Sequence, residues 1–108
     1  MAKARNVITD IRSTDRRIAD SDYYSASSSL WLLADSFERV LEAGIPAGVD
    51  PATYTARLKT LESFADQASN EIAGSPTQGS ARYAIIREET GVVLTQLTEA
   101  TGVELALP

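Results

Sequence analysis

The stretch from Tyr23 to Leu41 sets the terms for the rest of the chain. At about 100° per residue, one wide helical face collects Tyr23, Ala26, Leu30, Leu33, Ala34, Phe37, Val40 and Leu41. Tyr24 and Trp31, seven residues apart, lie on a second side, and Leu32 lies on a third. A helix that is apolar nearly all round is either central in a bundle or shared with a second molecule. Its partners must therefore be looked for both inside the chain and outside it.

The other segments read as helices of the same bundle. Residues 4–19 place Ala4, Val7, Ile8, Ile11 and Ile18 on one side, with Thr14 and Asp15 interrupting it. Asp20-Ser21-Asp22 favours an N-cap, so a break is expected before a second helix over 22–43. Residues 1–43 hold no Gly or Pro, and one continuous helix is the alternative. Ser25, Ser27, Ser28 and Ser29 are indifferent helix formers that let a neighbouring backbone come close. Gly44 fits a helix stop, and Ile45 and Val49 are expected to pin the following connector to the core.

Asp50-Pro51 marks the clearest boundary, an N-cap followed by proline in the first turn. From there Tyr54, Leu58, Leu61, Ala65, Ala68 and Ile72 step by four and three, which predicts a third helix over 51–73 with one buried stripe. Ser75-Pro76-Thr77-Gln78 has capping-box spacing, although Gly79-Ser80 weakens that start. A fourth helix over 76–101 carries Tyr83, Ile86, Thr90, Val93, Leu94 and Leu97 on its core face. Ile85 and Val92 form a second apolar line on it, and Gly91 reads as a close-packing position. Residues 103–108 form an extended tail with Val103, Leu105 and Leu107 alternating. The fold class is all-α: one four-helix bundle-like domain over 1–102, with a tail.

Composition limits the chemistry. The chain has no cysteine, so disulfides, thiolate catalysis and cysteine metal sites are excluded. It has no histidine, which removes the usual general base and the commonest metal ligand. Glu88 and Glu89 are adjacent and point about 100° apart on a helix, so they form no dyad. Asp35 and Glu38 share a helix face but would need inward-facing partners from other helices to hold a metal. The expectation is a protein that is not an enzyme and takes no cofactor, metal or small-molecule substrate. The longest apolar run is the five residues 30–34, too short to cross a membrane. No apolar leader follows the N-terminus, and a cytoplasmic setting is expected, free or within a particle assembled there.

Charge is unevenly placed. Residues 1–17 carry Lys3, Arg5, Arg12, Arg16 and Arg17 against Asp10 and Asp15, a net +3, and the remaining residues carry −8. Arg5, Arg12 and Arg16 fall within about 40° of one another on the first helix. Such a stripe suits phosphate, but the acidic remainder would repel a polyanion. An acidic protein face on the same or another molecule is the favoured counterpart.

Surplus apolar positions complete the reading: Tyr24, Trp31, Leu32, Ile85, Val92, Val103, Leu105 and Leu107. A bundle needs about one stripe per helix, and Trp and Tyr are favoured interface anchors. These residues are expected to meet other subunits, copies of the same chain foremost. Trp31, about 100–120° from its helix's core face, should sit at the domain's edge, covered by the first helix or by a neighbour.

The small secreted helical hairpins of ESX-type systems are excluded as a match. Their Trp-x-Gly turn is missing, since Leu32-Leu33 follow Trp31, and the breaks near 44–51 and 74–79 give too many helices. In size and architecture the chain is similar to the all-helical adaptor subunits of bacteriophage head–tail connectors. No motif carries that resemblance, and it stands only as an example of the class expected from the surplus apolar positions and the uneven charge, a non-catalytic assembly subunit. The alternative is a small regulator touching nucleic acid through Arg5, Arg12 and Arg16.

Overall fold

Asp50 and Pro51 begin a helix as their chemistry requires. The Asp50 carboxylate accepts from the Thr53 backbone N–H at 3.0 Å and from its hydroxyl at 2.6 Å. Proline follows in the first turn, where no N–H is needed. The computed structural model describes residues 2–108. It shows four helices, α1 (Ala2–Ala19), α2 (Tyr23–Glu42), α3 (Pro51–Glu71) and α4 (Pro76–Thr101), and no strand among the described residues.

The helices form an antiparallel bundle in which each packs on the next. The α2 helix lies against both α1 and α3, α3 also packs on α4, and α1 meets α4 only sparsely. The longest dimension, 41 Å, is close to the roughly 39 Å that 26 helical residues of α4 span. All six positions of the α3 stripe and all six of the α4 stripe are buried. On α2 the buried set is Ala26, Ser29, Leu30, Leu33, Ala34, Phe37 and Val40, with Tyr23 and Leu41 packed at its margins.

The break between α1 and α2 is real and needs no glycine. Ser21 adopts a left-handed conformation, φ 57°. The Asp22 N–H donates to the Arg17 carbonyl at 2.8 Å and the Ser21 N–H to the Ile18 carbonyl at 3.0 Å. This is a Schellman stop with serine in the place glycine usually takes. Asp22 then caps α2 through the Ser25 N–H at 3.2 Å.

Several local expectations need correction. Thr14 does not interrupt the core face of α1; it is fully buried, its hydroxyl donating to the Asp10 carbonyl at 2.8 Å. The α4 helix does start at Pro76, but Ser75 makes no side-chain cap, so the capping box does not form. Val49 packs against the core, whereas Ile45 stays exposed. The serines of α2 do allow close approach. Ser27 donates to the Ser69 carbonyl at 2.6 Å and Ser69 donates to the Ser27 carbonyl at 2.8 Å, tying α2 to α3.

The tail folds back on α4. The Leu105 N–H donates to Thr98 Oγ1 at 3.0 Å, Leu107 lies against Gly91, and Arg87 donates to the Pro108 carbonyl at 2.7 Å. Thr98, Gly91 and Arg87 share one face of α4, so the tail runs antiparallel to the helix along it. Arg87 also holds Asp15 of α1 at 3.2 Å, which places the end of the tail beside the sparse α1–α4 seam.

Candidate functional site

Trp31 is 61% exposed on α2, beside Leu32 at 48% and Tyr24 at 82%. The cause is geometric. The faces of α2 that meet α1 and α3 are filled by Ala26, Ser29, Leu30, Leu33, Ala34, Phe37 and Val40, and these three side chains point elsewhere. Trp31 lines two shallow depressions between α2 and α3. The first, of about 540 Å³, is completed by Ala34, Asp35, Glu38, Lys59, Glu62, Ser63 and Asp66. The second, of about 470 Å³, is completed by Ser27, Ser28, Leu32 and Ser69. No residue of α1 lines either one, so the expected cover by the first helix is not what the bundle provides. The close Ser27–Ser69 approach places the two helices too near for a large side chain between them, and Trp31 is left on top.

The groove around Trp31 is acidic. Four carboxylates line it against one lysine, a net −3, and Asp35 is shared with Arg39 at 3.2 Å. Glu62 is held above the usual carboxylate range, first by partial burial and then by the charges of Glu38 and Asp66. Its carboxylate therefore feels its neighbours rather than bulk water alone.

A second groove, of about 670 Å³, separates α3 from α4. Ala52, Ala56, Leu61, Phe64 and Ile85 give it an apolar floor, and Arg57 and Glu89 face each other across it at 4.0 Å. Arg82 stands over the Phe64 ring, 5.5 Å from its centre, and pairs with Glu71 at 2.5 Å. Val92 is exposed one heptad further along α4 from Ile85. The polar outer face of α3 lies between the two grooves, so the α2 and α4 apolar groups are separate patches.

The tail residues fare differently. Leu105 is 6% exposed within the core, and Val103 and Leu107 are packed against it. Expected as partner contacts, they are taken up by their own chain. Their alternation is the pattern of an extended segment with one covered side, and α4 supplies the cover.

Arg5, Arg12 and Arg16 are exposed on α1, and none forms an ion pair among the described residues. Arg17 is set apart from them. It turns inward, donating to the Ser25 carbonyl at 2.9 Å and to the Ser29 hydroxyl, a bond between α1 and the start of α2. Asp10 accepts from Ser36 of α2, and burial raises its carboxyl above the ordinary value. Sequence reasoning missed this use of Arg17 and Asp10, because nothing along one helix reveals the polar groups of the next.

The centre of the bundle is closely packed among the described residues. The gap bounded by Val7, Phe37, Leu58 and Val93 measures about 10 Å³, against the several hundred that a small-molecule site usually occupies. Among the described residues no cluster of three or more acidic side chains is arranged to hold a metal, and no helix is long and apolar enough to cross a membrane. Comparison of the chain with protein-family models, with curated proteins and with solved structures found no match in any of the three.

Proposed function

We propose that this protein is a non-catalytic subunit of a larger assembly, acting through protein–protein contacts and self-associating through α2. The observation that carries this reading is Trp31, 61% exposed on a helix whose backbone is fixed on two sides. Tryptophan loses little conformational freedom on binding and offers the largest contact area of any side chain, so it anchors interfaces. Tyr24 and Leu32 extend the apolar surface on the same helix. A component of a bacteriophage-type particle or connector is one example of such a role.

Sedimentation across a micromolar range tests it. Wild type should associate with rising concentration, and Trp31→Ala should remain folded and monomeric. A wild-type chain that is a strict monomer and binds no product of its neighbouring genes would end this reading.

Arg5, Arg12 and Arg16, which form no ion pair among the described residues, favour a second one, contact with nucleic acid. Affinity would then fall with salt at nearly one log unit per log unit for each phosphate contact, and a triple alanine variant would lose most of that slope. The acidic remainder, net −8, makes this the weaker of the two.

A further inference from the structure

We infer that the Trp31 groove between α2 and α3 receives the arginine face of α1 from a second copy of this chain, in a head-to-tail contact. The inference rests on the self-association proposed above and identifies the two surfaces that meet.

Complementarity is the first support. The groove presents an indole flanked by carboxylates, net −3, and the segment 1–17 carries +3. Carboxylates alone would take any solvent cation. An exposed indole beside them selects a guanidinium, which stacks on the ring while its N–H groups bond the acids. The molecule already uses this combination next door, where Arg82 covers Phe64 and binds Glu71.

Spacing is the second. Arg12 and Arg16 are one turn apart on α1, about 6 Å along the axis, as are Glu62 and Asp66 on α3. A helix laid along the groove can meet both acids at once. Arg5, Arg12 and Arg16 have no ionic partner of their own among the described residues, so the contact breaks no existing pair of theirs.

Position decides the symmetry. Asp10 and Arg17 of α1 face α2, and Asp15 faces α4. At 100° per residue the arginine stripe lies roughly 80° beyond Asp15 and about 130° from Asp10 and Arg17. It is therefore on the outer flank toward α4, whereas the groove lies between α2 and α3, across the bundle. Two different surfaces on opposite flanks make a heterologous contact, which propagates into a ring or a filament rather than closing as a two-fold dimer.

The test uses two variants, Trp31→Ala on the groove and Arg5→Glu/Arg12→Glu/Arg16→Glu on the stripe. All four positions are exposed, and circular dichroism melting confirms each fold. Wild type should grow past a dimer and fall apart at about 1 M salt, where the screening length is about 3 Å. Each variant alone should be monomeric. Mixed in equal amounts they should form a one-to-one dimer and nothing larger, since only one intact groove and one intact stripe remain. Trp31 is the sole tryptophan, so in the mixture only the arginine variant carries an indole to report. Its emission should shift to the blue and lose access to a soluble quencher on addition of Trp31→Ala. An arginine variant that assembles like wild type, or a wild type that stops at a dimer, would overturn the head-to-tail contact while leaving self-association through Trp31 intact. A wild type monomeric at every concentration would overturn both.

Discussion

The Tyr83 hydroxyl donates to Asp15 Oδ1 at 2.6 Å, joining α4 to α1 where the two helices otherwise touch little. Tyr83 is nearly fully buried, and Asp15 also receives Arg87 at 3.2 Å. Removing the hydroxyl in Tyr83→Phe leaves the carboxylate with Arg87 and water. The expected loss is about 1–2 kcal/mol, the range for a hydrogen bond to a charged group with partial compensation. Chemical denaturation measures it. A loss below about 0.5 kcal/mol would mean that Arg87 alone satisfies Asp15.

The same tyrosine gives the fold an alkaline limit. Burial first, and then the hydrogen bond to Asp15 and its charge, push the Tyr83 phenol well above its ordinary value, and burial raises Tyr54 as well. In the unfolded chain both ionise near pH 10, while the folded chain holds their protons to higher pH. The unfolded state therefore binds fewer protons above about pH 10, and stability falls as pH rises there. Below that value their contribution is constant. Melting temperature should be insensitive to these two groups around neutral pH and decline beyond about pH 10. Part of the phenolate absorbance should appear together with loss of helical circular dichroism, and replacing both tyrosines by phenylalanine should flatten the alkaline slope.

Two glycines of α4 should respond in opposite directions to the same change. A Cβ on Gly79 would lie 2.6 Å from the Cα and Cβ of Ile72, at the buried crossing of α3 and α4. Backbone cannot yield as a side-chain tip does, so Gly79→Ala should lose about 1–3 kcal/mol despite alanine's better helix propensity. A Cβ on Gly91 would meet only the tip of Leu107, at an ordinary 3.5 Å. Gly91→Ala should gain about 0.5–1 kcal/mol. Thermal melts of the pair decide it, and equal signs would misplace the α3–α4 crossing.

What the sequence revealed, and what it hid, divides along one physical line. Periodicity within a helix identifies the side that is buried, and the stripes of α3 and α4 are readable residue by residue. Excess over one stripe is readable too, which is how Tyr24, Trp31, Leu32, Ile85 and Val92 stand out as surface groups from helical spacing alone. Pairing between helices is not. Asp15 and Tyr83 are 68 residues apart, and no local pattern announces their bond. The stop at Ser21 lacks the glycine that usually marks one, because a few local hydrogen bonds hold a left-handed serine. The serine run is legible as a close approach, but not that Ser27 and Ser69 exchange hydrogen bonds.

Leu105 shows the same limit and supplies the last prediction. Alternating apolar residues in a tail indicate a covered side, without saying which molecule covers it. Here Leu105 is buried against its own core, with its N–H bonded to Thr98. Leu105→Ala should therefore remove folding stability, about 2 kcal/mol, by opening a small cavity under the tail. It should leave the concentration dependence of sedimentation as in wild type. Trp31→Ala should do the reverse, losing about 1 kcal/mol or less of stability because most of the indole already faces water, while abolishing association. Melting and sedimentation of both variants side by side separate the two surfaces. A Leu105→Ala chain that melts like wild type but no longer associates would move the tail from the core of its own domain onto a neighbouring subunit.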